Sequence, residues 1–162
     1  YERLLTATNA AKTFATNPEG WLLLIGGHGC GKTHLAAAIS NQRIQNGHSA
    51  LFITTADLLD HLRATFSPNS PIRFDKQFST LRNAPLLVLD DLTIESATPW
   101  AKEKLMQLID HRYVTKLPTI ITTAADKSDL GTRLESRLLN PDISIICPIT
   151  APMYKGKKTS NK

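Results

Sequence analysis

Apolar residues recur along this chain in two rhythms. Short, nearly continuous apolar runs occupy residues 21–25, 49–54, 86–89, 119–123 and 143–146. Between them lie longer stretches in which apolar positions return every three or four residues. The short runs lack the strict alternation of a strand with one wet face, so they predict strands buried on both faces. The longer stretches predict helices. Residues 2–16 carry a weakly apolar face of Leu4, Leu5, Thr8, Ala11 and Ala15. Residues 33–45 turn Leu35, Ala38 and Ile39 inward, and residues 55–66 turn in Leu58, Leu59 and Leu62. Phe74, Phe78 and Leu81 mark a short helix, Leu105, Leu108, Ile109 and Arg112 line a longer one over 98–115, and 128–139 reads as one or two short helices.

Turn chemistry separates these elements. Asn17-Pro18-Glu19-Gly20 and Ser67-Pro68-Asn69-Ser70-Pro71 read as loops, Gly47 stops a helix, and Pro85, Pro118 and Pro141 interrupt the chain. Thr98-Pro99 has the form of a helix cap followed by a first-turn proline. Strand and helix alternate from end to end, which implies an α/β fold: a parallel sheet covered by helices on both faces.

One junction carries chemistry. The strand at 21–25 runs into Gly26-Gly27-His28-Gly29-Cys30-Gly31-Lys32-Thr33, and a helix opens there, with His34 next in line. This is G-x-x-x-x-G-K-[ST] between a strand and a helix, the setting that makes it a phosphate loop. Glycines let main-chain N–H groups converge without side chains in the way, and a helix start adds donors and partial positive charge. Residues 26–34 are therefore the expected nucleotide cradle. Lys32 is expected to reach the β- and γ-phosphates, and Thr33 Oγ1 to ligate Mg²⁺. A second junction complements it. Leu86-Leu87-Val88-Leu89 ends in Asp90-Asp91, a Walker B pattern that delivers carboxylates to the carboxyl edge of a parallel sheet. Asp90 is the expected second magnesium residue, and Asp91 is expected to orient or deprotonate water.

Composition narrows the setting. A chain of 162 residues holds one ordinary domain. No apolar run approaches the roughly 20 residues of a membrane-spanning helix. No targeting segment is read ahead of the first strand. The two cysteines, Cys30 and Cys147, form no metal motif, and a reducing cytoplasm is the expected compartment. The net charge of +5 is concentrated at Lys155, Lys157, Lys158 and Lys162. Residues 1–150 are therefore read as the folded domain and 151–162 as a flexible basic tail.

Several segments together resemble the ATPase domain of the DnaC/DnaI-type helicase loaders, AAA+ proteins of the initiator clade. They are Gly-Lys-Thr-His-Leu-Ala-Ala-Ala-Ile (31–39), Leu-Leu-Val-Leu-Asp-Asp-Leu (86–92), Trp-Ala-Lys-Glu-Lys-Leu-Met-Gln-Leu-Ile-Asp-His-Arg-Tyr (100–113), Leu-Pro-Thr-Ile-Ile-Thr-Thr (117–123) and Arg-Leu-Glu-Ser-Arg-Leu (133–138). The resemblance implies a five-stranded parallel sheet in the order 5-1-4-3-2. It also implies Mg²⁺-dependent ATP binding and hydrolysis, head-to-tail homo-oligomers joined through the ATP sites, and action on a replicative DNA helicase and single-stranded DNA. It assigns Arg137 as an arginine finger acting on a neighbouring subunit, with Arg133 as the alternative. The sensor position at the end of the fourth strand departs from the family pattern: Thr122-Thr123 is followed by Ala124 where a polar residue is usual, leaving Thr123 as the candidate sensor. Transposase-helper ATPases share much of this pattern.

Other readings remain beside it. Asp126-Lys127-Ser128-Asp129 approaches a guanine-specificity motif, but Asp stands in place of Asn and no D-x-x-G switch is present. A small-molecule kinase would not need paired Walker B carboxylates. An ATP-bound assembly module without hydrolysis is kept open by Ala124. Lys102, Lys104 and Arg112 are candidates for a DNA-facing or subunit-facing surface as well as for a solvated helix face. Trp100, Phe66, Phe74 and Phe78 read as packing residues before base-stacking ones.

Overall fold

The computed structural model describes residues 2–65, 67–69, 73–94, 97–124 and 130–153. The expectations placed on Phe66, Pro71, Asp126-Lys127-Ser128-Asp129 and the four C-terminal lysines fall outside these residues. The elements run α1 (Glu2–Thr16), β1 (Trp21–Gly26), α2 (Lys32–Gln45), β2 (Leu51–Thr54), α3 (Thr55–Thr65), α4 (Phe74–Asn83), β3 (Leu87–Asp90), α5 (Pro99–Val114), β4 (Thr119–Thr123), α6 (Thr132–Leu138) and β5 (Ser144–Ile149).

All five strands pair in parallel in the order β2-β3-β4-β1-β5, the expected 5-1-4-3-2 read from the other edge. The three central strands separate two cores, as their lack of wet/dry alternation requires, whereas the edge strands β2 and β5 depart from that expectation and leave Phe52, Ile145 and Ile146 exposed. Trp21 and Leu23 of β1, Leu87 and Leu89 of β3 and Ile121 of β4 face one core, packed under α3, α4, α5 and α6. Leu22, Leu24, Val88 and Ile120 face the other, against α1 and α2.

Local chemistry sets the helix ends. Thr98 Oγ1 accepts from the Ala101 N–H at 3.2 Å with Pro99 in the first turn, as its sequence predicts. Thr54 Oγ1 accepts from Asp57 N–H at 3.0 Å and donates to Asp57 Oδ2 at 2.7 Å, so it caps α3. Two helix faces depart from expectation. On α1 the buried residues are Ala7, Ala11, Phe14 and Ala15, while Leu5 points outward at 54% exposure. On α2 Ala36 and Ile39 are buried and Ala38 is exposed. Alanines line both inner faces, with Phe14 and Ile39 beside them, so side-chain size alone does not choose the inner face.

Arg112 corrects a surface expectation. It is fully buried, with Nε donating to Thr119 Oγ1, Nη1 to the carbonyls of Leu81, Arg82 and Ala84, and Nη2 to that of Pro118. It thereby ties the C-terminal end of α4 and the end of α5 to the start of β4. Burial lowers its guanidinium to about 10, which leaves it charged at neutral pH.

Candidate nucleotide-binding site

Topology brings the two sequence junctions together. β4 lies between β3 and β1, so the end of β4 stands between the phosphate loop that follows β1 and the carboxylates that end β3. Leu24 of β1 is in register with Thr122, and Leu89 of β3 with Ile121. Thr33, Asp90 and Thr122 consequently meet although they come from three separate parts of the chain.

The phosphate loop has the backbone that its glycines permit. Gly31, at the N-cap of α2, has φ 103°, and a Cβ there would meet nothing within 4 Å. Space is therefore not what calls for glycine at this position; the positive φ is, and glycine adopts it without steric cost. No side chain caps α2, so its first-turn N–H groups remain directed into the loop. Lys32 is 7% exposed, and its Nζ donates to the carbonyls of Gly26 at 2.7 Å and Gly27 at 2.8 Å. Cys30, also buried, has its Sγ 3.8 Å from the same nitrogen. Among the described residues no carboxylate pairs with Lys32. A buried ammonium held only by dipoles, at the start of an uncapped helix, attracts an anion. His28 and His34 are exposed beside the loop.

Across from it, Thr33 Oγ1 donates to both oxygens of Asp90, at 3.0 and 3.1 Å. Asp90 is 6% exposed. Thr122, which the sequence reading passed over, joins the two acids: its Oγ1 donates to Asp90 Oδ1 at 2.7 Å and accepts from the Asp91 N–H at 2.8 Å. Asp91 sits just past the strand in the left-handed region, φ 55°, with its side chain exposed and its carboxylate without a hydrogen-bond partner among the described residues. That conformation is uncommon for a residue with a Cβ but tolerated by aspartate. Thr123 is placed differently, its buried hydroxyl donating to the Leu92 carbonyl at 2.9 Å. Successive strand residues face opposite ways, so only one of the two threonines can approach Asp90. The sequence signal was the Thr-Thr pair; which member faces the acids depends on register.

Arg137 stands on α6, apart from this group. Its Nε donates to Asp110 Oδ1 at 3.2 Å, and its guanidinium lies 4.6 Å from the centre of the Tyr113 ring. Arg133 donates to the other oxygen of Asp110. The terminal nitrogens of Arg137 have no acceptor among the described residues.

The loop opens into a cavity of ≈ 1060 Å³ lined by Gly29–Leu35, Leu4 and residues 151–153. An anion cradle, a Thr–Asp oxygen pair, an exposed carboxylate and an adjoining apolar hollow thus lie together at one edge of the sheet.

Comparison with known proteins gives the family. Residues 4–139 match the family of the IstB-like ATP-binding proteins. The chain belongs to this family. It is homologous to the replicative helicase loaders. The DnaC loader of Escherichia coli (strain K12) is 30% identical over 142 residues, covering 86% of this chain and 58% of that protein. DnaC of Buchnera aphidicola subsp. Baizongia pistaciae is 32% identical over 112 residues, covering 69% of this chain and 46% of that one. The chain thus spans about half the length of the curated relatives it matches. Among solved structures, the crystal structure of the DnaC helicase loader superposes with TM-score 0.80 at 28% identity, covering 93% of this chain and 92% of that one. The DnaI crystal structure gives 0.72 at 25% identity, covering 92% and 82%. The IstB-like ATP-binding domain of this chain therefore has the AAA+ architecture of DnaC, with its five parallel strands in the same order.

Proposed function

We propose that this chain is an Mg²⁺-dependent ATPase that acts as a helicase loader, working on a replicative DNA helicase and single-stranded DNA. The observation that carries the ATPase part is the meeting of Thr33 and Asp90 beside a Lys32 that has no carboxylate partner among the described residues. Homology to the DnaC loaders supports the rest.

The donor set fits magnesium. A hydroxyl and a carboxylate are hard oxygen ligands, and this ion binds few protein groups besides phosphate oxygens. Thr33 and Asp90 would hold it, and when bound it neutralises charge on the β- and γ-phosphate oxygens. The main-chain amides of residues 27–33 and the Lys32 ammonium hold the phosphates. Thr122 fixes the Asp90 carboxylate and the Asp91 backbone in one arrangement. The Asp91 carboxylate accepts a proton from the attacking water and directs its lone pair at the γ-phosphorus. Arg137 serves a neighbouring copy: Asp110 holds it by Nε and leaves its terminal nitrogens for the γ-phosphate of that copy's nucleotide. Hydrolysis is accordingly slow in isolated subunits and faster in head-to-tail assemblies.

Isothermal titration with ATP and GTP, followed by turnover of the wild type and Lys32→Ala with and without single-stranded DNA, tests this reading. ATP should bind in preference to GTP, and Lys32→Ala should bind neither. A wild-type chain that ignores ATP, or prefers GTP, overturns it.

A further inference from the structure

The cavity beside the phosphate loop has two kinds of wall. On one side stand loop amides and Lys32, which are what phosphates need. On the other stand Leu4 of α1, Leu35 of α2 and the segment Ala151-Pro152-Met153 that follows β5. Nothing about phosphate binding calls for those apolar residues. A flat heterocycle with two apolar faces does.

The segment is tied at one end and lies across the loop at the other. β5 pairs with β1 as far as Gly26 opposite Ile149, so the chain leaves the sheet at the edge where the phosphate loop begins. Ala151 packs with Leu4 and Leu35 against the core under α1 and α2. Two residues on, Met153 is 59% exposed yet rests directly on the loop: its Cγ lies 2.6 Å from where a Cβ on Gly29 would stand. Gly29 has φ +74°, so a side chain there would be strained and would also expel Met153. An exposed methionine seated on a glycine of an anion cradle adds little to the core. It is well suited to lie on a planar ring, because its thioether is polarizable and its three rotatable bonds let it adapt.

We propose that Ala151, Pro152 and Met153 form a strap over the base-and-ribose end of the bound nucleotide, with Met153 as the contact residue that slows nucleotide release. The proposal rests on the nucleotide reading above and adds to it the element that governs exchange. Ala151 anchors the strap, Pro152 stiffens it by fixing its own φ, and Met153 closes it.

The test compares the full chain with Met153→Ala and Met153→Leu, titrated calorimetrically with ATP, ADP and inorganic triphosphate, and followed by a chase of radiolabelled ATP. Met153→Ala should weaken ATP and ADP equally, by about five- to twenty-fold, the range for uncovering part of an apolar side chain. Release of labelled ATP should speed by the same factor, and affinity for inorganic triphosphate should not change. Met153→Leu should behave as the wild type. Wild-type release from Met153→Ala, or an equal loss of triphosphate affinity, overturns the strap. If the wild type binds ATP and Lys32→Ala does not, such a result removes the strap alone; if the wild type binds no ATP, the nucleotide reading itself has failed.

Discussion

Two cations are buried in the described part of this molecule, and they are buried in opposite ways. Arg112 is fully enclosed, and all three of its guanidinium nitrogens donate to oxygens of α4, α5 and the start of β4. Lys32 is nearly as inaccessible, but two loop carbonyls are its only oxygen partners, and the loop opens on a cavity. Neither cation has a carboxylate partner. A buried charge must have its donors satisfied or it costs several kcal/mol. Arg112 is satisfied by the fold itself, so it serves the fold. Lys32 is held, among the described residues, by two loop carbonyls and the weakly accepting Cys30 Sγ, contacts that an arriving anion could replace.

Substitution at each cation should separate these roles. Replacing Arg112 by Met is expected to have the largest effect: about 3–5 kcal/mol of stability lost, because the carbonyls of α4 and Pro118 lose their donor. Urea unfolding would read it as a lower midpoint with an unchanged slope, and the folded fraction should still bind ATP. Lys32→Ala should do the reverse, costing at least ~100-fold in ATP affinity, about 2.7 kcal/mol, with the midpoint nearly unmoved. Two substitutions that both destabilise, or both spare binding, would dissolve the comparison.

A finer contrast concerns the adjacent threonines. Thr122→Val removes the hydroxyl that joins Asp90 to the Asp91 backbone, and about tenfold or more in turnover should go with it, in line with the loss of two positioning hydrogen bonds of about 0.5–1.5 kcal/mol each. Thr123→Val removes a bond to the Leu92 carbonyl and should lower stability more than turnover. Steady-state kinetics beside thermal melts would show whether the two separate. Arg137 is sharpened by mixing: Arg137→Ala and Asp91→Asn subunits, each slow alone, should recover turnover together, since each keeps the group the other lacks. Failure to recover in stable mixed oligomers would remove the role in trans.

The smallest effect expected lies at His111. Its Nδ1 accepts from Arg82 at 2.9 Å, and its Nε2 donates to Asn83 at 3.1 Å. Burial, and then the charges of Arg82 and Arg112, hold its pKa below the usual 6.5. The unfolded chain therefore takes up this proton at a higher pH than the folded one. Stability falls as pH drops through 6.5 and levels off once the folded-state imidazole is also protonated. In His111→Asn the melting temperature should depend less on pH over that interval.

Much of this was legible in the chain. Uninterrupted apolar runs declared a parallel sheet whose central strands are buried on both sides, though not that its edge strands would expose Phe52, Ile145 and Ile146, and Thr98-Pro99 marked the start of α5 to the residue. The inner face of α5 was readable too, Arg112 included, although its charge also suggested a surface. What misled was α1, where the large Leu5 was taken for the core and the small Ala7 was not. Side-chain size is a guide to burial only when the neighbour's distance is known, and alanine-lined helices approach more closely than leucine-lined ones. Arg137 could be proposed from a likeness, but its hold by Asp110 joins residues 27 positions apart.

By itself, the sequence determined where the candidate phosphate and metal groups stand along the chain: a glycine loop ending in Lys32-Thr33, and a strand ending in Asp90-Asp91. Those are local facts, because backbone freedom and side-chain chemistry belong to single residues. Tertiary structure decided the rest: that β4 inserts Thr122, not Thr123, between the two acids; that Asp91 turns left-handed with its carboxylate unengaged; and that Met153 rests on Gly29. Each of these depends on strand register or on where a distant segment crosses, and a period of two residues reverses its meaning with a shift of one.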